Sequence, residues 1–323
     1  MVKKINSTMV AQAAGVAQST VSLVMNHSPR VALETQKRVI LTARNLGYSL
    51  HPRSKRLMIG IIISRIRPVK SWQAMVLSSL KTEIYRRQYR MEIICSEDIP
   101  LLNDRLVSGA ISITSDPSLK AQWRELQNIP LVRLNGYSSH TDNIYKVSTD
   151  AAADIAKMYD CLYTAGHRQI GLFLDKTPEQ ENAEGLGACH SFEMQILAHG
   201  MESHPGGLIS FQDAKRNDRE RLQELLDRGV TGLIAIPCDT ALKISRELTC
   251  LGKQIPRDIS LVTTEYAGIC ENWSPPLTSL NRNYPGICAQ ALNLIEDWLN
   301  HKVVQDHRIP GSMIDRESVA SPP

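Results

Sequence analysis

Hydrogen-bonding side chains share one arc of the stretch between residues 17 and 26. At about 100° per residue of a helix, this arc holds four side chains: Gln18, Ser19, Ser22 and Leu23. The opposite arc holds Thr20, Val21 and Val24. Amide and hydroxyl groups both donate and accept hydrogen bonds, so the first arc suits the edges of base pairs while the second suits packing. The alternative is a helical hairpin that only packs.

Three short helices must position that arc. Thr8–Ala14 predicts a first helix capped by Asn6, and Gly15 supplies a turn before a second helix over residues 17–26. A third helix ends at Gly47, and its apolar residues recur at helical spacing: Val39, Ile40, Ala43 and Leu46. Two helices that meet at a glycine turn are typical of a helix-turn-helix. We therefore predict a compact helix-turn-helix head over residues 1–48.

The charge of the chain is divided unevenly between this head and the rest. The first 58 residues hold nine Lys or Arg against one acid, Glu34, which gives +8. The other 28 basic and 32 acidic residues give −4, so that the whole chain carries +4. A basic head on an acidic body indicates that the head alone binds a polyanion. A solvated basic surface would carry the same charge.

Strand-length apolar runs alternate with helical stretches from residue 59 onwards. Seven runs predict strands: Ile59–Ile63, Met91–Cys95, Ala110–Ile113, Leu131–Leu134, Ile170–Leu174, Gly232–Ile236 and Ser260–Thr264. Near-continuous apolar strands separated by helices are typical of parallel sheets that are covered on both faces. The predicted fold class is therefore α/β, with enough strands for two sheets behind the helical head.

Other chemistry finds little support in the sequence. Residues 185–190 lack the third glycine of a dinucleotide fingerprint, and no phosphate-binding loop is present, so we expect no cofactor. Cys189 and His190 are adjacent and cannot pair as nucleophile and base on one helix, while His167 is expected to be structural. We therefore expect no enzyme.

Cysteine usage and the apolar runs predict where the protein resides. The seven cysteines are scattered without metal-ligand spacing, which is typical of a reduced compartment, and we expect no metal. The chain begins without a signal-peptide pattern, and its apolar runs are too short to span a bilayer. We expect a cytoplasmic protein.

Short motifs recur along the whole chain in one order. The head contributes Val10-Ala11, Ala14-Gly15-Val16, Thr20-Val21-Ser22, Asn26 and Gly47-Tyr48. The body contributes Ser108-Gly109-Ala110-Ile111, Ile129-Pro130-Leu131-Val132, Gly166-His167-Arg168-Gln169-Ile170-Gly171, Pro256-Arg257-Asp258-Ile259-Ser260-Leu261-Val262 and Pro275-Pro276-Leu277-Thr278-Ser279. By these motifs the chain resembles the lactose repressor and galactose repressor (LacI/GalR) family of bacterial transcription regulators.

The resemblance implies a homodimer that binds a pseudo-palindromic operator in double-stranded DNA and holds a small effector between two periplasmic-binding-protein-like lobes. Residues 49–58, which are basic and contain Pro52, would form a hinge after the head. An N-terminal lobe would comprise residues 59–158 with 286–302, and a C-terminal lobe would comprise residues 159–285 with 303–323.

The same resemblance implies a set of DNA contacts. Four residues would face bases, namely Gln18, Ser19, Ser22 and Leu23, and three would lie near phosphates, namely Asn26, Arg30 and Thr35. Ser54 and Leu57 match hinge positions from which the family inserts an apolar wedge into the minor groove. The stretch after Leu57 is shorter than is usual in the family, so the alternative is that Leu57 only starts the first body strand.

For the effector, the resemblance implies four ligand-facing positions: Asn135, Phe211, Glu265 and Arg282, with Ser64 and Asp239 close by. Three residues depart from the family's pattern, because Ala188 stands where an Arg is usual, Glu265 replaces a shorter Asp, and Arg282 replaces a neutral residue. If Arg65 and Arg282 both face inward, a phosphorylated sugar would fit, because a guanidinium pairs well with phosphate. The alternative is that both arginines lie at the surface.

Together these patterns predict a sequence-specific transcription regulator, a repressor, whose operator affinity is modulated by a sugar-like ligand. The main alternative is a solute-binding transport protein of the same two-lobed build, which would need an export signal and no basic head. Whether the ligand releases or promotes DNA binding stays open, as does dimer against tetramer.

Overall fold

Two units make up the chain in the computed structural model. The structure describes residues 5–26, 28, 30–48, 57–64, 71–104, 107–114, 116, 118–124, 126, 129–136, 138–175, 177, 187–200, 208–212 and 215–323. The first unit comprises Met1–Ser148 with Pro285–His307, and the second comprises Thr149–Tyr284 with Arg308–Pro323. The chain crosses from the first unit at residue 148, whereas the sequence analysis placed that boundary at residue 158.

Three helices form the head, as the sequence predicted. They are α1 (Ser7–Ala14), α2 (Gln18–Met25) and α3 (Leu33–Asn45). Their apolar faces meet in a small core that is separate from the cores of the sheets and consists of Val10, Ala11, Ala14, Val21, Val24, Met25, Val31, Val39, Ile40 and Ala43. The head therefore has a hydrophobic core of its own.

One six-stranded sheet lies mainly in the first unit and has the order β11-β5-β4-β3-β1-β2, with its last strand, β11, at the crossing into the second unit. Its strands are β1 (Met58–Ile63), β2 (Arg90–Cys95), β3 (Gly109–Ser112), β4 (Leu131–Leu134), β5 (Ile144–Thr149) and β11 (His307–Ile309). The pairs from β2 through β1, β3 and β4 to β5 are parallel. The helices of this unit's body are α4 (Ser71–Arg86), α5 (Leu119–Trp123) and α10 (Tyr284–Leu299), and 3-10 turns span Ser96–Asp104 and His140–Asp142.

The second unit contains another six-stranded sheet, with the order β12-β10-β9-β8-β6-β7. Its strands are β6 (Ile170–Leu174), β7 (Ile209–Ser210), β8 (Gly232–Ile236), β9 (Ser260–Thr264), β10 (Thr278–Asn281) and β12 (Ser312–Ile314). All of these strands pair in parallel except β12, which is antiparallel to β10. Its helices are α6 (Ala151–Thr164), α7 (Ala188–Ala198), α8 (Asp218–Asp227) and α9 (Cys238–Cys250), and a 3-10 turn spans Cys270–Asn272.

The central strands follow from their composition. Every residue of β6, β8 and β9 is buried, because helices cover both faces of a parallel sheet. The strands predicted at 131–134, 170–174, 232–236 and 260–264 are confirmed with the same bounds. Five strands were not predicted from the sequence, namely β5, β7, β10, β11 and β12, of which β7, β11 and β12 have only two or three residues.

The C-terminal segment is bound to the second sheet. His167 is buried between the Thr231 hydroxyl and the Ala320 carbonyl, each at 2.9 Å from a ring nitrogen. Burial lowers the pKa of His167, so the ring is neutral at physiological pH. This position agrees with the structural role predicted for His167.

Two further observations concern the part of the chain that the structure describes. None of its helices is both long and apolar enough to cross a membrane. No group of three or more His, Cys, Asp or Glu side chains is arranged there to hold a metal ion.

Candidate functional site

The start of the head is fixed by a cap and a glycine turn. The Asn6 side chain accepts a hydrogen bond from the Met9 N–H at 3.0 Å, which satisfies one of the free donors of α1. Gly15 ends α1 with a φ of +63°, a left-handed conformation that glycine adopts without steric cost. The chain therefore turns within three residues and begins α2 at Gln18.

Helix α2 has one buried and one exposed face. Val21 and Val24 are almost completely buried in the head core. The four side chains of the predicted reading arc are all exposed: Gln18, Ser19, Ser22 and Leu23. Leu23 is 39% exposed and lies outside the head core, which argues against the alternative that it packs there.

Hydrogen bonds hold both ends of α2 in place. The Gln18 amide donates to the Ser7 hydroxyl at 2.9 Å, which joins the beginning of α2 to the beginning of α1. The Asn26 amide donates to the Ser22 carbonyl at 2.9 Å and so caps the end of the helix. These bonds orient the exposed arc before any DNA is bound.

The predicted phosphate contacts lie around the ends of α2 and α3. Asn26 and Arg30 are exposed, and Thr35 is half-buried in the first turn of α3. Both helices begin after an alanine, Ala17 and Ala32, whose side chains cannot cap the first backbone N–H groups. Helix N-termini of this kind bind phosphate oxygens because their N–H groups and dipole favour an anion.

The hinge is only partly described. Ser54 lies outside the described residues, as does Arg65, so the structure places neither. The Leu57 carbonyl accepts a hydrogen bond from the Arg90 N–H at 2.8 Å, one residue before β1 begins. This bond attaches Leu57 to the edge of the first sheet and favours the alternative that it starts the body strand.

Two of the predicted effector residues lie on the carboxyl edge of the first sheet, which we define as the edge where its parallel strands end. Ser64 directly follows β1, and Asn135 directly follows β4. Asn135 has a φ of +55°, and its N–H donates to the Val147 carbonyl at 3.2 Å. Ligands of open α/β sheets bind outside this edge.

The other four lie on the carboxyl edge of the second sheet, which is defined in the same way. Phe211 follows β7, Asp239 lies in the first turn of α9 after β8, Glu265 follows β9, and Arg282 follows β10. Phe211 is partly buried against the core of the unit. The sheet order therefore brings residues that are up to 71 positions apart in sequence to one edge.

Glu265 is already engaged within the second unit. Its Oε2 accepts hydrogen bonds from the Ser279 hydroxyl and from Arg316 Nη1, the latter at 2.9 Å. Arg316 also donates to the Leu277 carbonyl at 2.7 Å. With side chains only 8% and 14% exposed, Glu265 and Arg316 form a buried ion pair that ties the C-terminal segment to β9 and β10.

Arg282 is paired as well. Its Nε lies 3.6 Å from Oδ2 of Asp154, which is completely buried in the first turn of α6. The contact is ionic without being a hydrogen bond, because the distance exceeds hydrogen-bond range. The other carboxylate oxygen, Oδ1, accepts the Gly311 N–H at 2.8 Å. Burial raises the pKa of Asp154, although the Gly311 bond and the Arg282 charge oppose that rise.

Comparison with known proteins identifies both parts of the chain. Residues 9–50 match the model of the bacterial regulatory proteins of the lacI family, and residues 159–319 match that of the periplasmic binding protein-like domain. The chain belongs to the LacI family. It is a transcriptional regulator with a helix-turn-helix DNA-binding domain and an effector-binding domain.

Relatives of this LacI-family chain match it along most of its length. It is 26% identical to the HTH-type transcriptional regulator MalR of Streptomyces coelicolor over 318 residues, which cover 88% of each chain. It is 24% identical to the HTH-type transcriptional repressor PurR of Haemophilus influenzae over 339 aligned positions, which cover 97% of this chain and 98% of PurR.

Solved structures share the fold. The transcriptional regulator CelR in complex with cellobiose superposes with a TM-score of 0.67 at 22% identity, over 97% of this chain and 99% of CelR. The lac repressor dimer bound to operator and the anti-inducer ONPF gives a TM-score of 0.67 at 18% identity, over 98% and 100%.

Two buried arginines of this LacI-family chain were not predicted from the sequence. Arg221 is 2% exposed, and its Nη2 donates to the Leu174 carbonyl at 2.7 Å and to the Ser210 carbonyl at 3.1 Å. It therefore joins the ends of β6 and β7, next to Phe211. Arg133, also 2% exposed, donates to the Thr114 carbonyl at 3.0 Å beside β3. An arginine inside the apolar run 131–134 was the available signal for Arg133.

Proposed function

We propose that this regulator is a repressor that binds a pseudo-palindromic operator as a homodimer and responds to a sugar-like effector. The observation that carries the proposal is the exposed arc of α2, which a buried apolar face holds in place. The first 58 residues, the head and the hinge together, carry a charge of +8. Short polar side chains on such a helix reach base edges in the major groove. The relatives named PurR and the lac repressor support the assignment of repression.

The homodimer is supported by an apolar face on the first unit. Ile93 is 54% exposed on the edge strand β2, Met91 is 37% exposed on the same strand, and Tyr85 is 85% exposed on α4. Exposed apolar side chains on an edge strand are suited to a second copy of the chain, because a two-fold interface buries the same patch of both subunits.

An uncharged effector is favoured over a phosphorylated one. Asp154 compensates the charge of Arg282, so this arginine brings no unpaired cation to the carboxyl edge of the second sheet. Within the second unit, the carboxylate of Asp239 suits hydroxyl groups, and the ring of Phe211 suits the face of a sugar. The CelR structure holds cellobiose, a neutral sugar.

The function is tested by measuring how salt changes binding to mixed genomic fragments, followed by sequencing of the bound DNA. We expect affinity to fall by on the order of 10³-fold or more between about 50 and 200 mM salt, because binding releases counterions from phosphates. The selected fragments should share an inverted repeat. Absence of DNA binding at low salt would reject the regulator and favour a solute-binding protein.

Leu23→Arg should move the operator preference toward guanine. Leucine offers no donor to the O6 and N7 acceptors of guanine, whereas the guanidinium of arginine forms two bonds to them. We expect a gain of about 1–3 kcal/mol for guanine at one position in each half-site, mirrored across the operator. Operator selection with both proteins measures the change.

Leu41→Arg is the matched control, because Leu41 is 38% exposed on α3 and the substitution adds the same charge off the reading arc. It should raise nonspecific affinity without altering the selected sequence. An unchanged consensus for Leu23→Arg, together with a less stable head, would make Leu23 a packing residue.

Glu265→Gln should weaken the response to the effector. A lost charged hydrogen bond to a ligand costs about 1.5–3 kcal/mol, and operator affinity without ligand should change little. Arg316→Gln is the control, since it breaks the same ion pair from the other side. Titration of DNA binding with candidate sugars measures both variants. Equal weakening in the two would mean that Glu265 acts by holding the fold.

A further inference from the structure

Two buried cysteines of the second unit face each other. Cys238 begins α9 directly after β8, and Cys270 begins the 3-10 turn that follows β9. Their Sγ atoms lie 3.5 Å apart, and both side chains are no more than 1% exposed. A disulfide has an S–S length of about 2.05 Å, so bond formation requires the sulfurs to approach by about 1.5 Å. We propose that Cys238 and Cys270 form a reversible intramolecular disulfide.

The hydrogen bonds around Cys270 make it the attacking sulfur. Its Sγ accepts the Tyr266 N–H at 3.4 Å and lies 3.5 Å from the Cys238 sulfur, while its thiol proton can be donated to the Thr264 carbonyl at 3.7 Å. The bond from Cys238 lowers the pKa of Cys270, while the same bond and burial raise the pKa of Cys238. The thiolate is the reactive form of cysteine, so Cys270 reacts first and Cys238 keeps its proton.

A hydroperoxide is the oxidant that this pair suits. The Cys270 thiolate attacks one peroxide oxygen, so that an S–O bond forms, the O–O bond breaks, and the departing oxygen leaves as water after taking up a proton. The Cys238 sulfur then attacks the Cys270 sulfur, the S–S bond forms, the S–O bond breaks and a second water leaves. Two thiols lose two electrons, and hydrogen peroxide is reduced to two waters. A dithiol such as dithiothreitol reduces the disulfide back to two thiols.

Cys270 itself is buried, but residues on either side of it in the chain lie at the surface. Ala267 and Gly268, shortly before Cys270, are exposed, and Glu271 directly after it is exposed as well. A surface turn of this kind opens locally at low cost compared with global unfolding. A small oxidant therefore reaches Cys270 without unfolding of the second sheet.

The disulfide should also change the response to the effector, a consequence that rests on the proposed function. Cys238 directly precedes Asp239, and the turn from Glu265 to Cys270 is closed by the Tyr266 N–H bond to sulfur. Drawing the sulfurs together would shift the ends of β8 and β9 toward each other. Two of the proposed effector residues would then move.

The bond is tested on the reduced full-length protein under native conditions. The concentration of hydrogen peroxide is raised until the exposed Cys250 is oxidised. Free thiols are then blocked, and the protein is digested with trypsin without reduction. Cleavage after Lys243 and Arg257 puts the two cysteines on separate peptides. We expect mass spectrometry to detect these peptides joined, with a mass lower by two hydrogens, and separated again by dithiothreitol.

Three serine variants control the experiment. Cys238→Ser and Cys270→Ser should each abolish the joined peptides, whereas Cys288→Ser should not, because the buried Cys288 thiol donates to the Val76 carbonyl in the first unit. Separate, blocked peptides from a sample with oxidised Cys250 would overturn the proposal. A sugar titration of the oxidised protein tests only whether the disulfide changes the response to the effector. DNA binding by the reduced protein tests the proposed function separately.

Discussion

Removal of residues 1–56 will abolish specific DNA binding while the remaining body stays folded. The head holds the exposed reading arc and has a core of its own, so its loss does not open the cores of the sheets. Specific complexes are typically at least about 10³-fold tighter than nonspecific ones, and that margin should disappear. Residues 1–56 carry a charge of +8, and without them the remaining chain, at −4, also repels phosphates.

The measurement compares the truncated and full-length proteins by operator binding, sedimentation and sugar titration. The cut keeps Leu57, whose carbonyl pairs with Arg90 at the edge of the first sheet. Sedimentation should still show a dimer, since the apolar face on β2 and α4 is retained. A full-length Val21→Asp variant is the control, because a charge in the head core should unfold the head alone. Specific DNA binding by the truncated body would refute the assignment of the head.

Arg282→Met will destabilise the second unit strongly. The substitution leaves the completely buried Asp154 without its nearest opposite charge, and breaking a buried pair from one side costs about 3–5 kcal/mol. The Gly311 N–H already donates to Oδ1 of Asp154, so it offers no additional hydrogen bond to compensate the lost charge. Denaturant unfolding from acidic to alkaline pH measures the loss.

The loss should depend on pH with a defined sign. The folded pKa of Asp154 is raised by burial, and removal of Arg282 raises it further. The folded state then keeps a proton that the unfolded chain has released, so the free energy of unfolding falls as pH rises from the ordinary carboxyl pKa through the raised one. The Arg282→Met variant should therefore be most stable at acidic pH, where Asp154 is protonated in both the folded and the unfolded state.

Asp154→Asn in the Arg282→Met background is the rescue variant. An amide keeps an oxygen that accepts the Gly311 N–H, and it carries no charge to bury. The double variant should recover most of the lost stability and lose the extra dependence on pH. Equal instability of the single and double variants would show that Arg282 stabilises the unit by packing instead of by charge.

Local sequence patterns were sufficient to predict the head and central strands of both sheets. Gly15 requires a turn, and the spacing of Val21 and Val24 leaves only one face of α2 for solvent, so local pattern was sufficient there. Strands β4, β6, β8 and β9 were predicted with their observed bounds, because strands buried on both faces are read directly as apolar runs. Short strands at the edges, such as β7 and β12, contain too few residues for a periodic pattern.

The pairing of polar side chains, in contrast, follows from the fold. Arg282 and Asp154 are 128 positions apart, Glu265 and Arg316 are 51 apart, and Cys238 and Cys270 are 32 apart. The pairs depend on the order of strands in the second sheet, and the Glu265–Arg316 pair depends also on the return of the C-terminal segment. No local periodicity encodes either. Glu265 and Arg282, which the family resemblance places at ligand-facing positions, are therefore paired with Arg316 and Asp154 within the chain. A buried charge is costly unless an opposite charge lies beside it.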